Sequence, residues 1–102
     1  MLIVHAIALA IAQATPTPAD QADAKCVFAM TMLGESASAT DKPGLEMTMS
    51  FFLGKIVGRS GAAMLGPAID AVAESMQAGG IDGAAKLAEQ CASEFERSTG
   101  SM

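Results

Sequence analysis

The stretch LEMTMSFFLGKIVGR, residues 45–59, decides how this chain folds. Apolar and polar side chains alternate over its first seven residues, as in a β-strand, but the alternation breaks at Phe52. Leu, Met and Glu are good helix formers. On a helix, one face collects the large apolar side chains Leu45, Met49, Phe52, Leu53 and Ile56. We therefore predict a helix that opens at residues 41–43, reaches about Arg59 and closes at Ser60-Gly61.

A second line of this helix carries small residues at i, i+4 and i+8, namely Ser50, Gly54 and Gly58. Such a line lets a neighbouring backbone approach closely. Because the segment is apolar on nearly all sides, we predict that it is the central helix, surrounded by the others. Small residues at this spacing also occur in membrane helices, but the charges of Glu46, Lys55 and Arg59 argue against a membrane span.

Three further helices are predicted around this one. Thr17-Pro18-Ala19-Asp20 has the form of an N-cap, a Pro at the first helical position and an acid at the third, and this helix stops at Gly34. A third helix runs from Gly66-Pro67 to Gly79-Gly80, and a fourth, capped by Asp82, runs over residues 83–97. We predict an all-α fold, a small four-helix orthogonal bundle that forms one domain over residues 15–102.

The first fourteen residues have the features of an export signal. Residues 2–12 are apolar except for His5, and Ala12-Gln13-Ala14 fits a signal-peptidase site with cleavage before Thr15. The run is too short to span a bilayer, which needs about 20 residues. We predict a signal peptide over residues 1–14 and a periplasmic mature protein; the alternative is an N-terminal helix of the folded domain.

Two cysteines, Cys26 and Cys91, remain in the mature chain. An even number of cysteines in a short exported chain indicates a disulfide. Both lie on the apolar stripes of the first and last helices, so a bridge between those helices is geometrically reasonable. Free buried thiols are the alternative. Two cysteines supply only half of a tetrahedral metal site, and no histidine remains to complete it.

Composition excludes several functions. With six Lys and Arg against eleven Asp and Glu, the net charge is −5, which argues against nucleic acid or an anionic membrane as partner. The mature chain has no His or Tyr, so His-dependent nucleophile systems are absent. Asp70 and Glu74 share a helix face, but such surface pairs are usually solvated. We predict a protein that is not an enzyme and needs no cofactor.

Four residues are candidates for contact with a partner protein. Lys55 and Arg59 form a basic pair at helical spacing that could receive an acidic loop of a partner. The alternative is a salt bridge within the chain, to Asp70, Glu74 or a carboxylate of the last helix. Phe28 and Met32 lie four residues apart on the side of their helix opposite Cys26. They form either a homodimer contact or a second packed face.

Methionine spacing raises the alternative of Cu(I) binding. Met30-Thr31-Met32 and Met47-Thr48-Met49 are two Met-x-Met sequences, and thioethers are soft ligands suited to Cu(I). Residues two apart on a helix point to different sides, however, so one such sequence cannot chelate. Methionine also fills gaps in cores that are poor in large aliphatic residues, and this is the interpretation we favour.

The pattern of a signal peptide, Cys26, the segment FFLGKIVGR at residues 51–59 and Cys91 resembles the small periplasmic HdeA-like helical proteins. This resemblance implies an acid chaperone that loses its dimer at low pH and exposes apolar surface to unfolding clients. With all eleven acids protonated, the six Lys and Arg leave a charge of about +6, which favours self-repulsion.

The chain also resembles the helical periplasmic immunity proteins that inhibit type VI secretion amidases. Their central helix carries an aromatic-x-x-Gly-x-x-x-Gly line, which Phe51, Gly54 and Gly58 match. That resemblance implies a loop that plugs the active site of a partner enzyme, with residues 35–44 or 79–83 as the candidate loops. Both resemblances imply a protein that acts by binding other proteins.

Overall fold

The structure, a computed structural model, describes residues 15–100. Within this range it contains three α-helices, one 3-10 turn and no strand. We number the helices α1 (Pro18–Gly34), α2 (Lys42–Ser60) and α3 (Leu65–Thr99), with the 3-10 turn Ala62–Met64 between α2 and α3. The predicted all-α fold is confirmed, and residues 45–59 are helical throughout. The predicted signal peptide, residues 1–14, lies outside the described residues.

Helix α1 begins with the capping arrangement that its sequence predicts. The Thr17 hydroxyl accepts a hydrogen bond from the Asp20 amide at 3.0 Å. The Asp20 carboxylate accepts one from the Thr17 amide at 3.1 Å. Pro18, the first residue of α1, has no amide hydrogen and therefore leaves no donor unsatisfied. The two reciprocal bonds fix the start of α1 and hold the Asp20 carboxylate in place.

The predicted third and fourth helices form one element in the structure, so the prediction of four helices is not confirmed. Within α3 the backbone leaves helical geometry at Gly80, with φ 65° and ψ −168°. Glycine adopts positive φ without the steric cost that a Cβ would impose. The chain therefore changes direction at a single residue, whereas the sequence pattern predicts a turn over residues 79–82 followed by a new helix.

Helix α1, not α2, is central, which corrects the prediction from the apolar wheel of α2. Helix α1 packs against both α2 and α3, whereas α2 and α3 make few contacts with each other. Small side chains let both neighbours pack closely on α1. Two of its alanines, Ala24 and Ala29, are fully buried. The predicted close approach at the small-residue line of α2 is also absent from the described residues. At Gly54 and Gly58, no atom lies within 4 Å of the position that a Cβ would occupy.

The core joins all three helices, and the disulfide crosses it. Cys26 on α1 bonds to Cys91 on α3, with 5.7 Å between their Cα atoms and 65 residues between them in sequence. The predicted disulfide is confirmed. None of the helices in residues 15–100 has the length and apolar character that crossing a membrane requires. The core consists of the following buried residues: Ala24, Cys26, Val27, Ala29, Met30, Phe52, Ile56, Ala68, Val72, Met76, Ala84, Ala88 and Cys91.

Candidate functional site

A cluster of five charged side chains joins the three helices where α1 begins and α2 ends. We call it the ion-pair cluster. Two of its members lie on α1, two on α2 and one on α3: Asp20, Asp23, Lys55, Arg59 and Glu94. Because Arg59 near the end of α2 pairs with Asp20 near the start of α1, the two helices run antiparallel.

Asp20 is the most enclosed member of the ion-pair cluster. Its side chain is 0% exposed, and Arg59 Nε donates to Oδ1 at 2.9 Å. Ser60 Oγ donates to Oδ2 at 2.7 Å. Burial alone raises the pKa of Asp20, but hydrogen bonds from Ser60, Thr17 and Arg59 outweigh burial and lower the pKa from the ordinary 3.8 to about 2. The carboxylate therefore stays ionised inside the protein at neutral pH.

Asp23 bridges the two bases of α2. Its Oδ2 accepts a hydrogen bond from Arg59 Nη2 at 2.6 Å, and its Oδ1 lies 3.1 Å from Lys55 Nζ. Lys55 also donates to Glu94 of α3, so one ammonium group ties all three helices together.

The surroundings of Lys55 favour its charged form. Burial disfavours the charge, but hydrogen bonds to Glu94 and Asp23 prevail and raise the pKa of Lys55 above the ordinary 10.5. The ammonium group also lies 5.3 Å from the centre of the Phe52 ring and 5.7 Å from that of Phe51, which adds cation–π attraction.

The structure therefore places Lys55 and Arg59, two of the predicted partner-binding residues, in ion pairs with their own chain. Of the intramolecular partners that the sequence suggests, a carboxylate of the predicted fourth helix, Glu94, is used. Asp70 and Glu74 take no part in the salt bridges of residues 15–100.

Sequence reasoning missed the two α1 acids. Asp20 and Asp23 lie three residues apart, and Asp23 precedes Cys26 on the apolar stripe of α1 by another three. Two acids at i and i+3 on a core-facing stripe match two bases at i and i+4, Lys55 and Arg59, on the neighbouring helix. That complementarity was the signal available in the sequence.

An open groove lies at the opposite ends of α1 and α2, while on α3 it is lined from the same stretch, residues 85–96, that carries Glu94. It encloses about 680 Å³, between the first turns of α2 and the second half of α3. Its apolar lining includes Met30 and Leu33 of α1, Leu45 and Met47 of α2, and Phe95 of α3. The volume falls in the range of about 300–1,000 Å³ that is typical of ligand-binding sites. The full lining is Met30, Leu33, Ser36, Ala37, Asp41, Gly44, Leu45, Met47, Thr48, Ala85, Ala88, Glu89, Ala92, Phe95 and Glu96.

Aromatic packing links α2 and α3 beside the groove. The Phe51 and Phe95 rings meet edge to face with 5.3 Å between their centres. Phe51 also packs edge to face against Phe52, which is fully buried in the core. Met47, on the wall formed by α2, is 62% exposed. A large, flexible apolar side chain thus stands open to solvent at the edge of an apolar groove.

The other predicted residues occupy different environments. Phe28 and Met32 are half-buried and pack against the core, as a second packed face of α1 requires. Ser50, Gly54 and Gly58 are exposed. In the Met-x-Met sequences Met30 is buried, whereas Met49 is half-buried with its sulfur 3.4 Å from the Thr31 hydroxyl. The described residues contain no group of three or more His, Cys, Asp or Glu side chains arranged to hold a metal ion.

Because comparisons with known proteins identify no relative, a function has to be argued from this geometry. No protein-family model, no curated protein and no solved structure matches the chain.

Proposed function

We propose that this chain is a non-catalytic binding protein whose groove holds apolar segments of other proteins. The groove itself is the observation that carries the proposal. Met47 is left exposed to water and Leu45 only half-buried beside it, although the chain has few large aliphatic residues with which to build a core. Covering such a surface with a partner's apolar side chains is favourable, at about 25 cal/mol per Å² buried.

The chemistry of the lining suits partners of varied sequence. Methionine side chains are flexible and polarisable, so they can repack around different apolar shapes. Three alanines of α3, Ala85, Ala88 and Ala92, leave room along the opposite wall. A groove of this kind fits the client binding that the resemblance to HdeA-like proteins implies.

We infer further that the protein works in the periplasm as an envelope stress chaperone. The Cys26–Cys91 disulfide supports an oxidising compartment, where such bonds persist. Intact mass of the protein from fractionated cells tests this. A periplasmic species beginning at Thr15 with an oxidised disulfide is expected; a full-length, reduced species in the cytoplasm would contradict it.

The ion-pair cluster supports acid as the trigger. Protonating Asp20 and Asp23 removes the charges that hold Arg59 and Lys55, and hence α2, against α1. Protonation of every acid leaves the six Lys and Arg to repel one another at about +6. Acid is therefore expected to loosen the packing of α2 on α1, which exposes apolar side chains of the core such as Phe52 and Ile56 to clients.

Peptide binding tests the groove directly. A fluorescein-labelled peptide with leucines at helical spacing is titrated with protein, and anisotropy gives Kd. Ala85→Lys puts a long charged side chain into the groove and should weaken binding about tenfold or more, because an apolar segment must then pack against a charge. The matched control is Ala78→Lys, another exposed alanine of α3 that does not line the groove. Equal Kd values for the two variants would contradict the proposal.

One observation favours a second candidate, an immunity protein that inhibits a cognate periplasmic enzyme. At the kink of α3, Ile81 follows Gly80 and is 50% exposed, so the predicted loop region 79–83 presents an apolar corner. A convex apolar side chain suits insertion into a partner's cleft. Ile81→Asp should abolish such inhibition but leave peptide binding in the groove unchanged, which separates the two functions.

A further inference from the structure

We propose that the groove selects apolar segments flanked by Lys or Arg over equally apolar segments flanked by Asp or Glu. This inference rests on the proposed function and names the class of partner that the groove takes. It is carried by the distribution of charge around the groove, which differs from that of the ion-pair cluster although both lie on the same three helices.

Three acids and no base line the groove. Asp41 lies just before α2, and Glu89 and Glu96 lie two turns apart on α3. All three residues are exposed, and none forms a salt bridge in the described part of the chain. The groove therefore presents an apolar floor with carboxylates on both sides that no salt bridge pairs in the described residues.

The nearby bases form no salt bridge with these acids in residues 15–100. Lys42, Lys86 and Arg97 each follow or precede a lining residue by one position, but none of them lines the groove. Arg97 instead donates to the Ser93 carbonyl oxygen at 3.4 Å. Lys55 and Arg59, the two bases on the inner side of α2, are paired with Asp20, Asp23 and Glu94.

A segment with an apolar centre and basic flanks complements both the apolar floor of the groove and the carboxylates at its rim. Its apolar side chains would cover Leu33, Leu45 and Met47, and its Lys or Arg heads would reach the carboxylates at the rim. Long basic side chains suit this position because their aliphatic stems can pack on apolar walls while the charge stays in water. An acidic-flanked segment brings like charges to Glu89 and Glu96 instead.

Two labelled peptides test the inference. They share the same leucines at helical spacing and differ only in four flanking residues, all Lys in one and all Glu in the other. We expect the Lys peptide to bind about tenfold more tightly at low salt, since several exposed ion pairs each add a small favourable contribution. The preference should shrink as salt is raised, because exposed charges are screened.

Paired variants separate a groove effect from the effect of the net charge of −5. Glu89→Gln with Glu96→Gln removes two rim charges; Asp70→Asn with Glu74→Gln removes two exposed charges of α3 outside the groove. We expect the rim pair to reduce the preference to about twofold and the control pair to leave it nearly intact. Circular dichroism establishes that both variants are folded.

Each other outcome overturns the inference in a different way. Equal binding of the two peptides removes the charge preference but leaves the proposed function standing. Binding of neither peptide removes both. A preference for Lys that the two double variants reduce equally assigns the effect to net charge and not to the groove.

Discussion

The two ends of the α1–α2 pair differ in how their polar and apolar side chains are packed. At the end that holds the ion-pair cluster, four salt bridges connect α1, α2 and α3, and every buried side-chain nitrogen or oxygen in the described residues has a hydrogen-bond partner. At the other end of α1 and α2, the carboxylates that line the groove form no salt bridge within residues 15–100 and surround an open apolar surface. One end is built to hold the helices together, and the other is left to be covered.

This difference follows from where α2 places its charges. Its second half carries Lys55 and Arg59, which meet the acids of α1, whereas no base of its first half lines the groove. Near the middle of the molecule, the disulfide and the Phe51–Phe95 contact hold α3 in place. Stability is therefore expected to be concentrated in the closed end, and binding in the open end.

Loss of the disulfide should have the largest effect. Closing a loop of 65 residues is worth about 4 kcal/mol in the chain-entropy model, comparable to the whole stability of a marginal domain. We expect the Cys26→Ser, Cys91→Ser double variant to be largely unfolded at 37 °C, as measured by urea titration with far-UV circular dichroism. An unchanged urea midpoint would show that the disulfide does not support the closed end.

Arg59→Ala should have the next largest effect. It leaves the Asp20 carboxylate buried without its cation, and breaking fully buried pairs costs about 3–5 kcal/mol. Because the Arg59 side chain is 33% exposed, we expect a smaller loss of about 2 kcal/mol. The control is Arg97→Ala, an exposed base of α3, for which a change below about 0.5 kcal/mol is expected. Equal losses for the two variants would contradict the distinction between the ends.

Acid should destabilise the closed end in a defined pH range. Since the pKa of Asp20 is about 2 in the folded protein and 3.8 ordinarily, its stabilisation is complete above pH 4 and is lost as the pH falls through 2. Urea midpoints measured from pH 5 to pH 2 should fall steeply below pH 4. In the Asp20→Asn variant, the urea midpoint should fall less steeply with pH than in the unaltered protein. A profile that stays flat to pH 2 would argue against acid as the trigger.

The smallest effect is expected at the exposed small-residue line of α2, and it has the opposite sign. Gly54 lies in mid-helix with no atom within 4 Å of the point where a Cβ would stand, so Gly54→Ala meets no clash. Alanine favours helix over glycine by about 0.8–1 kcal/mol. We expect a gain of about 0.5–1 kcal/mol in the free energy of unfolding. A loss of stability would contradict this and would support the close approach of a neighbouring helix that the sequence pattern predicts.

Local sequence features predicted the elements well because their causes are local. The Thr17–Asp20 capping box fixes the start of α1 through hydrogen bonds, and Gly61, with φ 89°, ends α2. The disulfide followed from cysteine count and helical spacing. These features depend on neighbours along the chain, which the sequence shows directly.

The arrangement of the helices depended on features that the sequence shows only indirectly. The apolar wheel of α2 predicted a central helix, but α1 is central because its small residues Ala24 and Ala29 admit a helix on each side. The partners of Lys55 and Arg59 depended on that choice, so Asp20 and Asp23 were missed. The groove could not be predicted either, since it arises where α2 and α3 separate over α1 and no sequence pattern encodes that gap.

Binding of apolar segments at the groove end is tested most directly by nuclear magnetic resonance. Amide chemical shifts of the isotope-labelled protein are mapped during titration with the leucine-containing Lys peptide at neutral pH. We predict the largest shifts at groove residues such as Leu45, Thr48, Ala85 and Ala92, with little change at the α1 and α2 members of the ion-pair cluster or at Ile81. Shifts centred on Ile81 or on the ion-pair cluster, or no shifts at all, would contradict groove binding.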